Sequence, residues 1–208
     1  MIPTYLLSKL RPYEVQVHGV KVKVTVVPAK SSAAFLNQKL YELRGKRVVG
    51  VDVKFQNKAA SLLLLCDEGH CLIITIRSHF SNPIFYFSES GLGRLLSNQT
   101  ICFVYSKFKS ETDASYDACL PEMMKKTAGI EVDHLAATVL KKPSLLGKGL
   151  HELGPEVGID IKSAYYDGRS IKWEDVEVFS EEEIIYAIHD VYATFLLGTN
   201  FWGRLQLD

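Results

Sequence analysis

The stretch from Arg47 to Ile76 constrains the fold more than any other. It holds three apolar segments, Arg47–Val53, Ala59–Cys66 and Cys71–Ile76, separated by very short links. The residues Asp67-Glu68-Gly69-His70 between the second and third read as a hairpin turn. Strands linked this tightly pair antiparallel, because a parallel pair needs a crossover of roughly a dozen residues or more. Upstream, apolar and polar residues alternate from Tyr13 to Val27 on both sides of His18-Gly19, which predicts a β-hairpin over about residues 13–27. Pro28 ends it. Ser31 and Ser32 are helix-start candidates, and Ala34, Phe35, Leu36, Leu40 and Leu43 suit a helix ending near Gly45.

Helices dominate the remainder. Gly91–Leu96 fits a short helix and Thr100–Tyr105 a fourth core strand. Pro121–Ala128 has Pro at a plausible first helical position. Asp133–Leu140 is another helix, with Asp133 as its N-cap. The glycine-punctuated segment Pro143–Gly158 carries a short helix around Leu150. Its Gly147-Lys-Gly149 lacks the Ser/Thr ending and preceding strand of a phosphate loop. Ser180 and Glu183 form a capping box that opens the last helix, expected to stop near Gly198. Strands first and helices afterwards give an α/β domain with a mixed sheet. At 208 residues the chain suits one domain, 1–208, with the hairpin included.

Lys plus Arg and Asp plus Glu number 24 each, so no overall field draws the chain to nucleic acid. Any such binding must use a local patch. The four cysteines, Cys66, Cys71, Cys102 and Cys119, include no Cys-x-x-Cys pair. They read as reduced, mostly buried thiols of a cytosolic or nuclear protein. The N-terminal apolar stretch is too short for a secretory core, and no run approaches a membrane span. A soluble chain, cytoplasmic or nuclear, is expected.

Two carboxylates stand out. Asp52 lies within the apolar strand Val48-Val-Gly-Val-Asp52-Val, where a charge is costly unless paired or bound to a cation. In Tyr186-Ala-Ile-His-Asp190, Tyr186 and Asp190 are four residues apart and share a helix face. A phenol and a carboxylate on one face suit a metal-held water lying between them. The plain alternatives are a salt-bridged strand Asp and an ordinary polar helix face.

The segment Val48-Val-Gly-Val-Asp52 and the segment Ile185-Tyr-Ala-Ile-His-Asp190 together resemble the first and last motifs of DEDDy 3′→5′ exonucleases. The order of elements agrees from about residue 14 to 198. The likeness is strongest to the plant Werner-exonuclease-like group, and within it to the RISC-interacting clearing exoribonucleases. It implies a ribonuclease-H-like (DnaQ-like exonuclease) fold: a mixed five- to six-stranded sheet flanked by helices. It also implies two divalent cations, Mg²⁺ or Mn²⁺, on oxygen ligands. Asp52 would bridge them, Asp190 would bind one, and Tyr186 would orient the nucleophile. Single-stranded RNA is the implied substrate, with Argonaute/RISC as a partner. The likeness also implies a homo-oligomer, a hexameric ring.

Two departures follow. The usual Asp-x-Glu is here Asp52-Val-Lys54, and an ammonium cannot ligate a metal. Three readings stay open: fewer protein ligands and one weak metal, a substitute carboxylate from this chain or a neighbour, or a non-catalytic binder. The middle acidic ligand is also blurred. Asp117 is slightly favoured as catalytic and metal-binding residue, with Asp113 close behind and Glu111 third; a solvated acidic loop is the plain reading.

For gripping nucleic acid, Lys54, Lys107, Lys109 and Trp173 are the first candidates. Lys125, Lys126, Lys141, Lys142, Lys148, Arg169 and Lys172 could neutralise phosphates. Tyr105, Tyr165, Tyr166 and Trp173 could stack bases. The alternative is scattered solvated lysines and core aromatics. The expected function is 3′→5′ exoribonuclease action on single-stranded RNA. Its rival is a catalytically weakened binding module on the same fold, and Lys54 is the feature in its favour.

Overall fold

The computed structural model describes residues 2–3, 13–28, 31–56, 59–76, 91–106, 129–162, 173 and 178–205. The strands are β1 (Ile2–Pro3), β2 (Tyr13–Val17), β3 (Val20–Val27), β4 (Val48–Gln56), β5 (Ala59–Asp67), β6 (His70–Thr75), β7 (Cys102–Tyr105), β8 (Gly129–Glu131) and β9 (Val178–Phe179). The α-helices are α1 (Ala33–Glu42), α2 (Gly91–Leu96), α3 (Val132–Val139), α4 (Leu150–Leu153) and α5 (Glu181–Leu205), with 3₁₀ turns at Pro143–Leu145 and Gly154–Val157. The helix expected over Pro121–Ala128 lies outside the described residues.

Among the described residues, seven strands form one sheet in the order β2-β3-β6-β5-β4-β7-β8, and β1 pairs with β9. The three central strands β4, β5 and β6 pair antiparallel, as their short links require. The hairpin β2–β3 is also antiparallel. Its turn holds His18 at φ 49° and Gly19 at φ 81°, the left-handed geometry that matches strand twist. The sheet exceeds the expected five or six strands because β3 lies parallel beside β6, a pairing across distant sequence. Strands β7 and β8 extend it in parallel on the other side of β4.

Both faces of the central sheet are covered, which is why its strands are continuously apolar. Side chains alternate between two cores. Val48, Leu62, Leu64, Ile73 and Val104 face the layer built by α3 and α5. Val49, Val51, Val53, Leu63, Leu65 and Phe103 face the layer built by α1 and α2. Leu62 to Leu65 are each 0% exposed. Burial of such a side chain contributes about 1.5–3 kcal/mol.

Helix α5 begins where the capping box predicts. Ser180 Oγ accepts from the Glu183 N–H at 3.2 Å, and Glu183 Oε2 accepts from the Ser180 N–H at 2.7 Å. It does not stop at Gly198. A Cβ there would lie 2.7 Å from Val104 Cγ2, so this glycine serves helix–sheet packing, and the helix runs on to Leu205. Helix α1 starts after Ser32, whose Oγ accepts from the Phe35 N–H at 3.2 Å.

Two further expectations are corrected. Asp133 is not an N-cap: Glu131 occupies that position, and Asp133 sits buried in the first turn of α3. Its Oδ1 accepts from the His134 N–H at 2.9 Å and its Oδ2 from the Gly147 N–H at 2.7 Å, so it ties the following loop to the helix. Cys66 and Cys71 are not free thiols. Directly opposed in the β5–β6 register, they are joined by a disulfide. Cys102 is free and buried, and burial pushes its thiol up to about 11. Cys119 lies outside the described residues. No described helix is long and apolar enough to cross a membrane.

Candidate active site

Strand β4 sends its even-numbered residues from Val48 to Lys54 toward α5. Gly50 is the contact point. A Cβ there would lie 2.6 Å from the Val191 carbonyl oxygen and 2.9 Å from Phe195 Cβ. The missing side chain lets α5 rest on the strand backbone one residue beyond Asp190. The two carboxylates, far apart in sequence, therefore meet at one end of the helix–strand contact.

Lys54 stands between them. Its Nζ lies 2.7 Å from Asp52 Oδ2 and 3.9 Å from Asp190 Oδ2. Asp52 is buried, and its Oδ1 accepts from the Val53 N–H at 2.8 Å. Burial pushes the Asp52 pKa up, and the Lys54 charge offsets only part of that. For Lys54, burial works to lower the pKa, but the charges of Asp52 and Asp190 together outweigh it and raise it. The ammonium thus stays protonated as an internal counter-ion.

Asp190 is the open member, its side chain 52% exposed. Partial burial works to raise its pKa, yet the hydrogen bond from His189 and the Lys54 charge together hold it below its ordinary value. His189 Nδ1 lies 3.0 Å from Asp190 Oδ1, leaving Oδ2 turned toward Lys54. His189 is itself buried, with its ring 4.3 Å from the ring of His18. His18 Nε2 contacts the His189 carbonyl oxygen at 3.1 Å, so that nitrogen carries the proton and donates. Burial lowers the His18 pKa.

Tyr186 lies one turn before Asp190, its ring stacked with Trp173 at 6.4 Å and 9°. Its proximity to Lys54 registers in the electrostatics of that ammonium. Trp173 is buried against Tyr186 and Phe179, so it backs the phenol and offers no open face to a base. Tyr105 is buried in the opposite core. Lys54 is likewise spent on carboxylates rather than presented to phosphate.

The structure thus brings together Asp52, Lys54, Tyr186 and Asp190. Asp113, Asp117, Glu111, Lys107 and Lys109 lie outside the described residues, as do Lys125, Lys126, Tyr165, Tyr166, Arg169 and Lys172. Lys142 and Lys148 pair with Glu156 and Glu152, each at 2.6 Å. Sequence reasoning missed His18, since nothing local announces that a hairpin turn will reach a C-terminal helix. A second group, Glu131, Asp133 and His134, has ligand atoms within 4.8 Å of one another, but both Asp133 oxygens already accept backbone N–H groups.

The mixed sheet and its covering helices form a ribonuclease-H-like (DnaQ-like exonuclease) fold. No family model matches the sequence, and a search of curated proteins returns no match. Solved structures do match. Escherichia coli RNase D, an exoribonuclease involved in structured RNA processing, aligns at TM-score 0.58 and 14% identity, over 89% of this chain and 46% of that one. The Aedes aegypti Nibbler EXO domain aligns at TM-score 0.58 and 15% identity, over 88% of each chain. The catalytic core of Trypanosoma brucei RRP6 aligns at TM-score 0.57 and 12% identity, over 100% of this chain and 54% of that one. The chain thus spans less than half of RNase D. At these identities the likeness establishes the fold.

The residues present allow a test of whether a divalent cation would fit. Asp52 and Asp190 offer hard oxygens aimed at one point that already holds a positive charge. That donor set fits Mg²⁺ or Mn²⁺.

Proposed function

We propose that this chain is a metal-dependent 3′→5′ exoribonuclease acting on single-stranded RNA. One observation carries the reading: Asp52 and Asp190, from a central strand and a distant helix, converge on a single cation beside Tyr186. Buried acids are retained only when a cation or hydrogen bonds compensate them. A bound Mg²⁺ or Mn²⁺ would polarise a phosphoryl oxygen and lower the pKa of water.

The chain's own groups do the rest. Asp52 and Asp190 would hold the ion, and His189 fixes Asp190 so that Oδ2 faces it. Tyr186, braced by Trp173, would orient the attacking water by hydrogen bonding. Water adds to phosphorus, the P–O3′ bond breaks, and the protonated 3′-oxygen leaves on the shortened strand. The released product is a nucleoside 5′-monophosphate. Asp117, or Asp113, completes the ligand set in this reading. Part of the proposal is that the protein works as a homo-oligomer on fragments released by Argonaute complexes.

A second reading has its own observation. The 2.7 Å Lys54–Asp52 pair resembles a site closed by an internal cation, which suits a module that holds an RNA end without cutting it. Labelled single-stranded RNA separates the two. Wild type and Asp52→Ala are incubated with Mg²⁺, Mn²⁺ or EDTA. A metal-dependent ladder shortening from the 3′ end, absent in the variant, supports the hydrolase. Binding without a ladder supports the module, and preferential cutting of DNA changes the substrate.

A further inference from the structure

His189 and Asp190 are neighbours on α5, and neighbouring helix residues do not face each other. Yet His189 Nδ1 lies 3.0 Å from Asp190 Oδ1. The ionised Asp190 carboxylate only accepts, so Nδ1 carries the proton and donates. The bond therefore depends on whatever keeps the imidazole turned toward its neighbour. His189 is buried, and its Nε2 makes no hydrogen bond. Against its ring packs the ring of His18, with centroids 4.3 Å apart and planes at 58°.

His18 is 171 residues away in sequence, in the turn between β2 and β3. With φ 49° at His18 and 81° at Gly19, the turn suits Asn, Asp or Gly. It does not require an imidazole; the imidazole adds reach to α5. The His18 Nε2–H donates to the His189 carbonyl oxygen at 3.1 Å, which fixes the height of the ring along the helix. A second tie starts from the same strand. The Tyr13 hydroxyl hydrogen-bonds the side chain of Glu181, about two turns earlier in α5. Strand β2 thus lies along the helix from its first turn to His189.

We propose that His18 is a positioning residue for the Asp190 carboxylate, acting through the His189 imidazole. Without the His18 ring, His189 turns away and Asp190 Oδ1 loses its donor. The carboxylate then samples several orientations, and Oδ2 keeps no fixed direction. The proposal rests on the hydrolase reading for what Asp190 does, but the hold on Asp190 is measured without RNA or metal.

Two measurements on wild type, His18→Asn and Tyr13→Phe test it. Asn suits the left-handed turn, so that variant removes the ring and spares the hairpin. Tyr13→Phe cuts the other tie and reports what a looser hairpin does by itself. Long-range ¹H–¹⁵N NMR of the imidazoles, on metal-free protein, reads the His189 tautomer. The Nδ1–H form is expected in wild type and in Tyr13→Phe. In His18→Asn the His189 signals are expected to move to the Nε2–H form or to a mixture. Cleavage of single-stranded RNA is the second readout. His18→Asn is expected to lower kcat about tenfold at unchanged KM, and Tyr13→Phe to leave both unchanged. If His18→Asn fails to fold, as read from its thermal melt, His18→Gly takes its place. An Nε2–H tautomer in wild type overturns the proposal, as does a His189 tautomer indifferent to loss of the His18 ring. So does a kcat that is unchanged in His18→Asn, or that falls equally in Tyr13→Phe. Absence of cleavage by wild type overturns the hydrolase reading instead, and the tautomer alone then decides the hold on Asp190.

Discussion

Asp52 is tolerable in the core because Lys54 is beside it, and Lys54 keeps its charge because Asp52 and Asp190 surround it. Removing one member of such a pair leaves a buried, uncompensated charge, which costs about 3–5 kcal/mol. Lys54→Met should therefore lower unfolding stability by about that much at pH 7, measured by urea titration. Adding Asp52→Asn should restore most of it, since both charges are then gone. The pH dependence follows from Asp52. Its folded pKa already lies above the ordinary value of 3.8, and loss of Lys54 raises it further. A raised carboxyl favours the protonated folded state, so the penalty is absent below the unfolded pKa and grows as pH rises through the folded one. The Lys54→Met deficit should shrink steadily as pH falls from 7 toward about 4. A deficit independent of pH would mean that lost packing of the lysine stem, not charge, causes it.

At the scale of elements, the contact between α5 and β4 sets the distance between the carboxylates. In Gly50→Ala the new Cβ meets backbone, the Val191 carbonyl oxygen at 2.6 Å, so the helix must move. The expected cost is about 1–3 kcal/mol, together with weaker Mn²⁺ binding because Asp190 moves with the helix. Gly198→Ala is the comparison: it meets the Val104 side chain at 2.7 Å, two turns beyond Asp190. It should lower the melting temperature while leaving Mn²⁺ affinity unchanged. Equal loss of affinity in both would show that the site responds to stability alone. Much at this scale was legible in sequence. The hairpin, the antiparallel core strands and the Ser180–Glu183 box follow from alternation, turn length and capping chemistry. Gly198 misled because a glycine that ends a helix and one that packs against a strand look alike in sequence. Cross-sheet consequences were not legible either: the parallel β3–β6 pair, the Cys66–Cys71 disulfide and the reach of His18 to His189 depend on register, which local pattern does not encode.

At the scale of the whole molecule, the balance of 24 basic and 24 acidic residues limits how RNA is held. The Asp52–Asp190 pair was legible because a charge inside an apolar strand is conspicuous, whereas a binding surface is made of exposed lysines that look alike. Two of those lysines, Lys142 and Lys148, are already paired with Glu156 and Glu152. Lys54 is committed to the carboxylates, and Trp173 is buried. Among the described residues, these candidates therefore offer few cations to displace counter-ions. Single-stranded binding loses about 0.7 in the slope of log K against log salt for each phosphate neutralised. With about three phosphates engaged the slope should be about −2 in a catalytically silenced Asp190→Asn variant, read by fluorescence anisotropy across salt concentrations. A slope near −7 would correspond to about ten phosphates, more than the described candidates supply from one copy. Because an assembled ring would pool the lysines of several chains around one strand, the slope should then fall back toward −2 on dilution below the assembly concentration. A steep slope that persists in the monomer would instead mean that the lysines of one chain are gathered into a single cationic track, and that the neutral total conceals a strongly divided surface.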